Sequence, residues 1–176
     1  MDDGNNSIGE DAVRRDYAAI MSQLPPRSAL TLLHIGSDRT ILATADSVLS
    51  LPIGADKTGS QFFHHTPPTP DEFEHAINTI EDELAGIQKR IDATSALHTR
   101  DAAIRDIGRL AVGGDQHEIA LTRDSMEALF SRVAALSMGR SAVIDQLQAN
   151  PSFSARLLIL REVMFHLGFT IITIVP

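Results

Sequence analysis

The chain has 176 residues, 43% apolar and 22% charged, which fits one globular domain with a core large enough to need no staples. It has no cysteine, which excludes disulfides and thiolate metal sites, and no Trp with a single Tyr, which leaves little for a base-stacking platform. A formal net charge of -8 repels polyanions and argues against nucleic acid as a partner. No run approaches the roughly 20 apolar residues of a membrane span. The polar N-terminus does not read as a secretory signal, so no membrane partner and a cytoplasmic setting are expected.

Residues 1–8 read as a disordered N-terminus, and 9–176 as a single α/β domain. Glu10 to Leu24 is helix-like: Val13, Tyr17, Ile20 and Leu24 share a face, and Pro25-Pro26 stop it. Ala29 to Ile35, Thr40 to Ala45 and Val48 to Ile53 read as strands separated by turn residues, a three-stranded antiparallel meander. Gly54 to Pro68 reads as a loop. Thr69 is the N-cap of a helix to Ile91, with Pro70 in its first position and Asp71 and Glu72 at its positive end.

Ile104 to Val112 reads as a strand preceded by a short helix, and Gly113-Gly114-Asp115 as a turn. Thr122 caps the next helix, with Ser125 where a capping box would carry Glu or Gln. Ser141 to Leu147 reads as a short helix. Ser152 to Leu167 reads as a long one ended by Gly168, and Phe169 to Val175 as a β-branched last strand. A meander followed by helix-linked strands predicts a mixed sheet covered by helices.

Several polar groups suggest chemistry. His64, His65, Glu72 and His75 are metal-capable residue types close in sequence, as are Asp115, His117 and Glu118. Their simpler reading is solvated loop and helix-end residues. His34, mid-strand, reads as a hydrogen-bonded core histidine. No Walker A, Rossmann or nucleophile-elbow pattern is present.

The ordered series of segments resembles the second half of the exopolyphosphatase / guanosine pentaphosphate phosphohydrolase (Ppx/GppA) family. GEDAVRRDYAAIMSQLP (9–25) is similar to that family's helix into its second domain, near GEEEARL. LHIGSDRTILAT (33–44) is similar to its strand–loop–strand DIGGGSTELV, and LPIGADKT (51–58) to LPLGAVR. PPTPDEFEHAINTIEDEL (67–84) is similar to the following linker and helix, and Gly113-Gly114 to its second glycine-rich loop. The resemblance implies a ribonuclease-H-like half-domain of the actin-like ATPase superfamily. It implies a phosphate site made of Gly36, Ser37, Asp38, Arg39, Thr40, Gly113 and Gly114.

The family hydrolyses inorganic polyphosphate and guanosine pentaphosphate with a divalent metal, in a cleft between two half-domains. On the resemblance, this chain supplies the second half only. It also departs from the family at the reacting positions. His34 stands for the motif's Asp and Ile41 for its Glu. Ser37 and Asp38 replace glycines of an anion-binding nest, and Asp115 replaces a hydroxyl. The family's catalytic Glu falls on Ala12, while its Arg persists as Arg14.

The expectation is a degenerate, non-catalytic Ppx/GppA-like binding or assembly module, a pseudoenzyme with no catalytic residue and no cofactor. It would act as a homodimer or with a protein partner, with a phosphate-containing small molecule as a possible ligand. The alternative is an exopolyphosphatase-type hydrolase using Mg²⁺, with its cleft completed by a dimer or partner subunit.

Overall fold

The computed structural model describes residues 3–114, 116–138 and 150–176. The elements run α1 (Asp3–Met21), β1 (Leu30–Ile35), β2 (Thr40–Ala43), β3 (Val48–Leu51), α2 (Ala55–Phe62), α3 (Pro70–Ala85), β4 (Ala96–Thr99), α4 (Ala102–Val112), β5 (Ile119–Thr122), α5 (Arg123–Ser137), α6 (Pro151–His166) and β6 (Ile171–Ile174). One six-stranded sheet has the order β3-β2-β1-β4-β6-β5. β3, β2 and β1 form the antiparallel meander, β1–β4 and β4–β6 pair in parallel, and β5 returns antiparallel along β6.

Helices cover the sheet unequally. On one face α1 buries Val13 and Ile20 against Leu30, Leu32, Ile41 and Ala43. On the other face α6 is the central helix, packed against α2, α3 and α5. It buries Leu157, Leu158, Ile159 and Leu160 in succession, so its middle turn is enclosed on every side. Gly168, at φ +80°, turns the chain out of α6 in the left-handed conformation expected of a residue just past a helix.

The structure corrects several boundaries. α1 starts at Asp3, so residues 3–8 are helical where the sequence suggested disorder; residues 1–2 lie outside the described residues. At Gly9 the helix runs close over the sheet: a side chain there would meet Ile41 at 3.5 Å. Gly54 to Pro68 is not all loop but contains α2. The segment from Ile104 is helical, with Asp101 as N-cap and Ile104, Ile107 and Gly108 buried at helical spacing. β4 and β5, only four residues each, were not anticipated. The expected helix at Ser141 to Leu147 lies outside the described residues.

α3 shows how locally the sequence dictates a helix start. Thr69 Oγ1 accepts from the Glu72 N–H at 3.3 Å, and Glu72 Oε2 accepts from the Thr69 N–H at 2.8 Å, a complete capping box. Thr69→Ala should lower stability by about 1 kcal/mol, read from the urea unfolding midpoint.

The same carboxylate accepts from the His64 N–H at 2.9 Å and meets His65 Nδ1 at 2.8 Å. Burial opposes its ionisation, but the bonds from His65, Thr69 and His64 outweigh that and hold Glu72 at about 2 rather than 4.5. A depressed carboxyl stabilises the fold above its ordinary value and loses that contribution as pH falls. The stability gap between wild type and Glu72→Gln should therefore be full at neutral pH. It should shrink as pH drops from about 4.5 toward 2.

Candidate functional site

β1 and β4 are adjacent parallel strands at the middle of the sheet. From its carboxyl end β1 continues into the hairpin toward β2, on one side. β4 continues into α4 and then β5, on the other. Such a switch point leaves a crevice outside the strand ends, where ligands of open α/β sheets bind. The residues that meet there are His34 in β1, Gly36 to Arg39 in the turn after it, Asp101 after β4, and Arg156 and Ser152 from α6.

The Gly36–Arg39 turn is tightly held. The Gly36 N–H donates to the Arg39 carbonyl at 2.9 Å. The Gly36 carbonyl accepts from the Ala55 N–H, and the Ser37 carbonyl from those of Asp56 and Lys57, at 2.9 to 3.0 Å. The leading N–H groups of α2 are thus taken up by the turn itself. Gly54 lies beneath it: a Cβ there would come within 2.3 Å of the Asp38 carbonyl carbon. Thr40, fully buried, donates its hydroxyl to the Ile53 carbonyl at 2.6 Å. Asp56 sits beside the turn, with its carboxyl held below the usual range by hydrogen bonds from Ser152 and Ser37, helped by the nearby Arg156 charge. Ser37, Asp38 and Arg39 face solvent, and Arg39 Nη1 donates to Ser50 Oγ at 3.3 Å.

Across the crevice Asp101 has an almost buried side chain, 7% exposed. One carboxylate oxygen accepts from the Ala103 N–H at 2.9 Å, capping α4; the other accepts from the Ile35 N–H at 3.2 Å. His34, 43% exposed, places Nδ1 3.4 Å from that second oxygen. His34 is therefore a half-exposed partner of a buried carboxylate, not the core histidine the sequence suggested. Arg156 Nη2 donates to the Ile35 carbonyl at 3.3 Å, while its buried Nε has no hydrogen-bond partner.

The structure does not gather all the expected phosphate-site residues. Gly36, Ser37, Asp38, Arg39 and Thr40 form one turn. Gly113 and Gly114 lie beyond the far end of α4, separated from Asp101 by an 11-residue helix, about 16 Å of rise. They are its C-terminal glycines, at φ +77° and +83°. The strand-to-helix connection that faces Gly36 is Arg100-Asp101 instead. Ile41 is buried under α1, and Arg14 is exposed on it. Of the metal-capable residues, Glu72 meets His65 at 2.8 Å while it caps α3, His117 and Glu118 are exposed, and Asp115 lies outside the described residues.

No family model matches the sequence, and no curated protein matches it. Solved structures do match the fold. The Ppx/GppA family member of Aquifex aeolicus superposes with a TM-score of 0.74 at 21% identity, over 94% of this chain and 58% of its own. The fold is that of the Ppx/GppA phosphatases. An exopolyphosphatase from Cytophaga hutchinsonii gives a TM-score of 0.65 at 14% identity, over 84% of this chain and 53% of its own. An exopolyphosphatase-like protein gives 0.64 at 11%, over 81% and 51%. The chain thus spans just over half the length of the Ppx/GppA structures it matches. Among its described residues, no helix is long and apolar enough to cross a membrane.

Asp101 and the helical character of α4 were the main features sequence reading missed. Their signal was present. An Asp followed by Ala-Ala-Ile, with Ile104, Ile107 and Ala111 at spacings of three and four, is a capped amphipathic helix.

Proposed function

We propose that this Ppx/GppA-like domain is a binding or assembly module whose anion site is filled by its own carboxylate. A single observation carries the reading: Asp101 accepts from the Ala103 and Ile35 N–H groups at once. Those donors, at a helix N-terminus beside a strand end, are what a phosphate in this crevice would use. A resident carboxylate satisfies them and repels an incoming anion. The leading N–H groups of α2 are occupied as well. The start of α2 therefore offers no free donor to the charge that develops in phosphoryl transfer, and at the start of α4 Asp101 already holds the Ala103 N–H.

The crevice face then serves to meet another surface: a second copy, a protein partner or a further domain. The cysteine-free composition fits a cytoplasmic setting. The test is phosphate release from polyphosphate and guanosine pentaphosphate with Mg²⁺. None above the protein-free rate is expected, and release that disappears in His34→Ala would overturn the reading.

One observation favours the alternative, a hydrolase with its cleft completed in trans. An exposed imidazole backed by a buried carboxylate is the arrangement of a positioned general base. If that reading holds, release appears only after a partner is added, and Asp101→Asn abolishes it.

A further inference from the structure

At the far end of α6 from the crevice, two carboxylates converge on one ring nitrogen. His166 Nε2 stands 3.1 Å from Glu81 Oε1 and 3.2 Å from Glu162 Oε2. Glu162 and His166 are four residues apart on α6, so they share a face, and Glu81 comes from α3, packed alongside. Whether the ring is neutral or charged, Nε2 carries at most one N–H. Two oxygens therefore compete for a single proton, and the group is not satisfied by hydrogen bonding alone.

The surroundings point the same way. Arg161 pairs with Glu127 at 2.8 Å and with Glu162 through the latter's other oxygen, leaving Oε2 aimed at His166. Two carboxylates, Glu127 and Glu162, thus face one guanidinium while Glu81 adds a third negative charge at His166, and a divalent cation would balance the excess. His166 also lies in the last turn of α6, the negative end of its dipole. Arg161 is fixed over the Phe130 ring at 4.7 Å, and Gln88 Nε2 holds the His166 carbonyl at 2.7 Å, so the ligands are oriented from behind. The 3.1 and 3.2 Å separations approach the roughly 3.3 Å edge of a tetrahedron with bonds of about 2.0 Å to nitrogen and oxygen.

We propose that Glu81, Glu162 and His166 form a binding site for a divalent transition metal of the zinc class, which clamps α3 to α6. One imidazole and two carboxylates suit that class. Glu162 is 2% exposed, while Glu81 and His166 are 41% and 28% exposed, so an ion enters from their side and keeps water there. This site is independent of the crevice reading and of the His64, His65 and His75 group considered from the sequence.

The test is calorimetric titration of the untagged chain with Zn²⁺ at neutral pH, repeated with Co²⁺, whose visible absorption reports its coordination. One equivalent should bind. Glu81→Gln and His166→Ala should each weaken binding at least about 100-fold, the upper end of what losing even an outer-shell partner costs. His65→Ala and His75→Ala should leave it unchanged. Glu81→Gln preserves shape at a half-exposed position, so it decides the matter should His166→Ala fail to fold. Absence of stoichiometric binding, binding that survives Glu81→Gln, or binding lost in His65→Ala would each overturn the site.

Discussion

Gly54→Ala should destabilise the protein by about 3 kcal/mol, the upper end of overpacking costs, and should displace the Gly36–Arg39 turn. The reason is backbone, not side chain. An added Cβ would lie 2.3 Å from the Asp38 carbonyl carbon and 2.4 Å from both the Arg39 nitrogen and the Ser37 carbonyl oxygen. None of these is the far end of a flexible group. The turn would have to lift away, breaking the bonds by which its carbonyls take up the first N–H groups of α2. Gly86→Ala is the control: its Cβ would meet only the Glu83 carbonyl, at 3.4 Å, and its helical φ suits alanine. A urea midpoint that falls for Gly54→Ala and holds for Gly86→Ala would support this account. Equal midpoints would show that the turn gives way without cost.

Asp101→Ala should cost about 2–4 kcal/mol, combining a lost helix cap with a buried N–H left without a partner. The two parts can be separated. Asp101→Ser retains a hydroxyl that caps α4 through the Ala103 N–H but is too short to keep the bond to Ile35. It should recover about 1 kcal/mol, the worth of an N-cap. His34 would lose the carboxylate 3.4 Å from its Nδ1 in either variant. Chemical denaturation of the three proteins measures the series. If Asp101→Ala proved neutral, the carboxylate would not be filling a site the fold requires.

How far the sequence could be read depended on the range of the interactions. The α3 start was legible because Thr69, Pro70 and Glu72 act within one turn, and they form the cap the sequence implied. Strands of the meander were legible because adjacent segments pair across two short turns. β4 was not, since Ala96 to Thr99 becomes a strand only through Leu30 to Leu32 and Leu97↔Ile172, partners some 65 to 75 positions away in the chain. The missed strand is why nothing in the sequence marked Arg100-Asp101, and not Gly113-Gly114, as the connection beside Gly36.

The same holds for the pairs that define the crevice. His34 with Asp101 and Asp56 with Ser152 are brought together by topology, with no local pattern to mark them. That the resemblance puts Ala12 and Ile41 opposite acidic residues was visible residue by residue. That Asp101 takes up two N–H groups at the crevice required the fold.

On the proposed reading, Asp101 stands where a phosphate would. The most direct measurement is a thermal-shift titration with inorganic phosphate and polyphosphate, on wild type and on Asp101→Ser. Binding at 100 times Kd would add about 2.7 kcal/mol to the folded state. No shift is expected for wild type and a saturable rise for Asp101→Ser, whose freed Ile35 N–H and lost negative charge admit the anion. A saturable rise in wild type that Asp101→Ser does not strengthen would contradict that reading.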